Sequence, residues 1–183
     1  MFMLNIGSRL RKINAYLSAD QKSFFTRGFI GLLIWFLLSD LFFVHDFLVS
    51  SLAVNAAGVI EFFSDIAPTQ LTNSFAHQNY CSWDLKDSRA WIRIGSNCDG
   101  WELYYLYSLF IFIFPGIRLE RKFFFAVIGT LTLYFFNVLR IAGLFFLEHS
   151  YPIWFGIFHK VIFQVLAYLI MFGLWIIYLT GRK

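Results

Sequence analysis

Three long apolar runs, 101–117, 123–147 and 153–179, follow one another almost without pause. Each admits a single Asp, Glu, Lys or Arg, namely Glu102, Arg140 and Lys160. A bilayer-spanning helix needs about 20 predominantly apolar residues, with a range of roughly 17–25. A fourth run, 28–47, is apolar enough to span with Asp40 as an intrusion. Composition agrees with this reading, since 59% of the 183 residues are hydrophobic and only 14% are charged. A single core of this size cannot hide that much apolar surface from water. The same balance excludes a disordered chain, a collagen and a disulfide-rich miniprotein. The chain therefore reads as an all-α integral membrane protein forming one membrane domain over 1–183.

Charge sets the topology. Arg9, Arg11, Lys12, Lys22 and Arg27 crowd residues 1–27, where Leu10, Ile13 and Leu17 fall near helical spacing. This pattern predicts a cytoplasmic interfacial segment, and no small-residue cleavage site marks it as a signal peptide. Arg118, Arg121 and Lys122 lie between the second and third runs, and Arg182 and Lys183 follow the last. With four spans and the N-terminus inside, all these clusters are cytoplasmic, as the positive-inside rule requires. A span at 48–67 would put Arg118, Arg121 and Lys122 outside. That stretch, interrupted by Asn55, Glu61 and Asp65, is accordingly expected to be an interfacial helix on the outer face. Residues 68–97 become an extracytoplasmic loop, in which the alternation over 89–94 predicts a short strand or hairpin. The net charge of +4 reads as membrane anchoring. No solvated basic patch with interleaved aromatics points to nucleic acid. The bilayer of the cell membrane is the first partner expected.

On this topology three residues of reactive type converge on one leaflet. Cys98 ends the outer loop, His159 lies near the outer end of the last span, and Arg140 sits about 10 Å below the outer end of the third at ~1.5 Å per residue. A thiolate is the competent nucleophile, and a helix start or a nearby cation lowers its pKa. Ser96, Asn97 and Asp99 are N-cap types, which predicts a helix start next to Cys98. His159 could take the thiol proton and return it to a leaving amine. Arg140 could stabilise an oxyanion, and Asn137, three residues earlier on the same helical face, could orient it.

Plainer readings stand beside these. Arg140 could pair with Asp40 as a structural cation. Cys98 could join Cys81 in a disulfide, because the outer compartment is oxidising. The chain would then be a membrane thiol oxidoreductase or a non-enzymatic membrane subunit. His77 and Cys81 have metal-ligand spacing but lack further ligands, so no metal site and no cofactor are expected. Glu148 and His149, at the outer end of the third span, could contribute to the site but read more readily as a solvated helix end, and Glu61 and Asp65 read as the polar face of the interfacial helix. Tyr104, Tyr105 and Tyr107 with Trp101 read as an interfacial aromatic belt. Trp83 and Trp91 read as anchors of the outer loop.

The order Asn97-Cys98-Asp99-Gly100, then Asn137-Val138-Leu139-Arg140, then Phe158-His159-Lys160 resembles the exosortase/archaeosortase family over roughly residues 90–175. The resemblance implies a multi-spanning cysteine protease or transpeptidase with its site on the extracytoplasmic face. Cys98 would be the nucleophile, His159 the base and acid, and Arg140 the stabiliser. The implied substrates are exported proteins with a C-terminal sorting signal, passed on to water or to a lipid or surface acceptor. The chain is short, closer to the minimal bacterial variants. It also carries Asp99 where many relatives have a small residue, and that acidic neighbour opposes thiol activation.

Overall fold

The computed structural model describes residues 18–39, 42–64, 70–75 and 81–181. The expectations that fall on residues 1–17, Asp40, Asp65 and His77 lie outside them. The first helix, α1 (Ala19–Leu38), opens with a capping box. Ser18 Oγ accepts from the Gln21 N–H at 3.3 Å, and Gln21 Oε1 accepts from the Ser18 N–H at 2.8 Å. Two orphan amides of the first turn are satisfied reciprocally. This start corrects the expected boundary at residue 27, since 19–27 belongs to the same helix as 28–38.

The next helix, α2 (Phe42–Phe63), corrects a second boundary. The expected elements 28–47 and 48–67 are cut at 47, whereas the first helix ends at Leu38 and the next begins at Phe42, so 42–47 belongs to the same helix as 48–63. Three antiparallel strands follow: β1 (Gln70–Phe75), β2 (Cys81–Lys86) and β3 (Trp91–Ile94), in the order β1-β2-β3. The strand expected near 89–94 is present as β3. The alternation that predicts it also sets its faces, with Ile92 and Ile94 buried and Trp91 and Arg93 exposed. Arg93 closes on its cross-strand partner Asp84 with two hydrogen bonds, 2.8 and 3.1 Å.

Helices α3 (Trp101–Ile113), α4 (Leu119–Ser150) and α5 (Pro152–Thr180) complete the chain. The run expected over 101–117 stops at Ile113, because Pro115 and the left-handed Gly116 (φ 75°) turn the chain there. The run expected over 123–147 extends at both ends, and the run at 153–179 gains one residue at each end. Among the described residues, Phe43–Phe63, Leu119–Ser150 and Pro152–Thr180 are long and apolar enough to cross a membrane, while Trp101–Ile113 is apolar but shorter. Apolar side chains cover the outside of these helices, Phe36 at 84% and Ile153 at 90% exposure among them. Water would penalise such a surface and lipid does not. The protein is helical and membrane-embedded, with a small sheet larger than the expected hairpin.

Helices α1, α3, α4 and α5 run side by side, with α3 antiparallel to α1 and α4 and parallel to α5. Phe24 of α1 meets Phe114 just past α3, and Trp35 stacks on Trp101. Tyr107 of α3 donates to the Phe125 carbonyl of α4 at 2.9 Å. It can do so because residue 129 is glycine: a Cβ there would sit 2.1 Å from the Tyr107 ring. Tyr178 of α5 donates to the Ile111 carbonyl at 3.0 Å. A second core joins Leu52, Ala56 and Ile60 of α2, Leu85, Ile92 and Ile94 of the sheet, and Ile141 and Phe145 of α4. The sheet is thereby anchored above one end of the helix group, and β3 delivers the chain to Cys98.

Candidate active site

After β3 the chain makes one tight turn over Ser96–Cys98, with the Cys98 N–H donating to the Gly95 carbonyl at 2.9 Å. Gly100 then adopts φ 76°, which favours glycine. A Cβ there would also meet the Tyr104 ring at 2.9 Å and Asn137 Nδ2 at 3.1 Å. Helix α3 starts at Trp101, but its cap position is Gly100 and none of the expected Ser96, Asn97 or Asp99; Asp99, one residue before the cap, accepts from the Trp101 N–H through Oδ1 at 2.9 Å.

Cys98, Asn137, Arg140 and His159 converge, although 39 and 61 residues separate Cys98 from the two it contacts directly. Cys98 Sγ lies 3.8 Å from His159 Nε2. Asn137, buried on α4, donates from Nδ2 to the Cys98 carbonyl at 3.0 Å. Its Oδ1 accepts from Arg140 Nη1 at 3.4 Å, so it both holds the cysteine turn and orients the guanidinium, as the i, i+3 spacing predicts. Arg140 Nε is buried without a hydrogen-bond partner among the described residues. His159 sits in a π-helical turn, Phe158–Ile162, and its ring stacks on Phe155 with centroids 5.6 Å apart. Single π turns inside α-helices are frequent at functional sites.

Burial pushes the Cys98 thiol above its ordinary range. Arg140 and the Gly95 backbone hydrogen bond work against that rise, and an ionised Asp99 adds to it. The expectation of an activated, low-pKa cysteine is therefore corrected: desolvation of a half-buried sulfur outweighs the nearby cation. The resting group is a thiol, and it needs a base at the moment of attack.

A cavity of about 610 Å³ opens beside these residues. Asp99, Arg140 and His159 line its polar part, and Leu106, Leu133 and Ala167 carry it between the helices. That volume lies within the roughly 300–1,000 Å³ of ordinary small-molecule pockets.

Other expected features fall elsewhere. Asp40, the proposed partner of Arg140, lies outside the described residues. Cys98 is a free cysteine, whereas the Cys81 side chain lies outside the described residues. His149 does not join the site; its Nδ1 is 3.0 Å from Asp87 Oδ2 in the turn after β2. Tyr104 and Tyr107 are not a surface belt, because both are buried at helix contacts. Among the described residues no group of three or more His, Cys, Asp or Glu side chains could hold a metal ion. Sequence reasoning passed over His45, which is 9% exposed and pairs through Nδ1 with Asp99 Oδ2. The signal was there: a histidine inside an apolar helix is costly to keep without a partner. No protein-family model, curated protein or solved structure matches this chain.

Proposed function

We propose that the protein is a membrane cysteine peptidase or transpeptidase with Cys98 as nucleophile. The observation that carries the reading is the 3.8 Å approach of Cys98 Sγ to His159 Nε2, with Arg140 held alongside by Asn137. His159 takes the thiol proton as sulfur attacks a carbonyl carbon, and the new carbon–sulfur bond forms. Negative charge gathers on the carbonyl oxygen, where the Arg140 guanidinium stabilises it. Collapse breaks the carbon–nitrogen bond, and the leaving amine carries off the proton that His159 held. Water or an acceptor nucleophile then releases the acyl group from Cys98.

The substrate class is that of the exosortase resemblance, an exported protein with a C-terminal signal, approached from the extracytoplasmic side of the cell membrane. The polar turn of Cys98 and the apolar depth of the cavity favour a substrate that is part peptide and part membrane-embedded. The test is labelling of intact cells with a membrane-impermeant maleimide across a pH series, in a Cys81→Ala background. Cys98 should label from outside, slowly at neutral pH and faster as pH rises, and His159→Ala should change the profile. A Cys98 that labels only after the membrane is opened, or whose profile ignores His159, overturns the reading.

A further inference from the structure

The buried pair His45–Asp99 has no part in the reaction above, yet Asp99 is bonded through the chain to the proposed nucleophile. Its geometry counts protons. His45 Nε2 is 2.9 Å from the Ser39 carbonyl, which can only accept, so Nε2 carries a hydrogen. His45 Nδ1 faces Asp99 Oδ2, and one proton lies between them whichever group is said to own it. Imidazolium with carboxylate, or imidazole with carboxylic acid, both sum to zero charge. Asp99 Oδ1 is meanwhile committed to the Trp101 N–H.

We propose that His45 is a positioning residue for Cys98. By sharing one proton with Asp99 it cancels a negative charge beside the thiol and clamps the cysteine turn to the junction of α1 and α2. The assignment rests on the reading of Cys98 as nucleophile for its consequence, though not for its geometry. A bare Asp99 carboxylate would hold the thiol protonated and oppose the attack. The pair occurs where such control is needed: 2% exposure leaves Asp99 little water to neutralise it. Among the described residues, the other charged or titratable groups lining the same cavity are Glu102 on α3, Arg140 on α4, and His159, Lys160 and Tyr168 on α5. Of these, Arg140 favours the thiolate, while the group placed to hold a proton directly against Asp99 is His45. Helix α1 supplies the Ser39 carbonyl as the anchor.

The test uses the full chain with Cys81→Ala and follows the pH midpoint of Cys98 alkylation. His45→Asn keeps a hydrogen-bond donor toward Asp99 but cannot carry the proton's charge. It should raise the midpoint by about one pH unit, the lower range for a like charge at close approach. Asp99→Asn should leave the midpoint near that of the native protein, because the charge it removes is already cancelled, and the double variant should follow Asp99→Asn alone. An unmoved midpoint in His45→Asn overturns the proposal. So does an upward shift that survives in the double variant, because that shift would come from a displaced turn and not from charge. Should His45→Asn fail to accumulate, Asp99→Asn decides alone, and a midpoint that falls by a full pH unit overturns the proposal, because it would expose a negative charge that His45 had not cancelled. His159→Ala, measured in parallel, separates the two ideas. A profile indifferent to His159 but shifted by His45→Asn sinks the peptidase reading and leaves this one standing.

Discussion

Lys122 and Arg140 lie on the same helix, 18 residues apart, and the protein treats their charges in opposite ways. Lys122 is 5% exposed, and its ammonium donates to the Phe112 carbonyl at 2.9 Å and the Phe114 carbonyl at 2.6 Å. Its neighbour Arg121 donates to the Gly181 carbonyl and, at 3.1 Å, to the Tyr178 carbonyl. Those carbonyls end α3 and α5, where helices leave acceptors unsatisfied and the dipole favours a cation. Among the described residues Arg140 has a single hydrogen-bond partner, Asn137 Oδ1 at a long 3.4 Å, and an Nε buried without one. One end of the helix group uses its cations to finish helices. The other keeps a cation incompletely bonded beside a thiol, an imidazole and a cavity, where an incoming oxyanion would complete it.

The comparison breaks if activity and stability do not separate between the two ends. The largest effect is expected from Cys98→Ala and His159→Ala: loss of substrate cleavage by ~10³-fold or more with the folded protein retained, followed by the size of the exported substrate on a gel. Arg140→Gln should cost about 10²–10³-fold in cleavage, as loss of one oxyanion donor does, with little change in thermal unfolding in detergent. Lys122→Met should do the reverse. It strands two carbonyls at the end of α3 and destabilises by roughly 2–3 kcal/mol, read as a lower unfolding midpoint, while Cys98 in the surviving folded fraction keeps its alkylation profile. Asn137→Ala sharpens the contrast at the site itself, with an expected loss of about tenfold in cleavage, the equivalent of one net hydrogen bond of ~1.4 kcal/mol.

The smallest effect concerns pH. Burial raises the Cys98 pKa and Arg140 lowers it, so removing the cation lets burial act unopposed. Alkylation of Cys98 in Arg140→Gln should therefore shift to higher pH. A shift to lower pH would show that Arg140 does not act on the thiol. Lys122→Met, at the far end of the helix, should leave the midpoint where it is.

The apolar runs make a membrane-embedded helical protein legible from residues alone, because lipid imposes one requirement, length of apolar helix, that no partner needs to supply. Convergence of Cys98, Asn137, Arg140 and His159 was legible too, since loop charges and helix rise fix depth before any side chain is placed. Boundaries were not. Helix α1 ends at Leu38 and α2 begins at Phe42 within apolar sequence of similar composition, and α2 is the one that packs on the sheet and α4. Tyr104 and Tyr107 read as a surface belt by type, and only packing against α4 and α5 showed them buried.

Two matters belong to the tertiary structure alone. The state of the Cys98 thiol is a balance of desolvation against Arg140, and burial cannot be read from a residue's neighbours in sequence. The partner of Asp99 was equally hidden, because His45 lies 54 residues away and its value appears only when α2 folds back against the cysteine turn. Residue types and helix rise determined which chemistry could gather at one depth of the membrane. Packing decided which charges there are cancelled and which remain incompletely bonded, since a charge in a low-dielectric interior takes its energy from the atoms in contact with it.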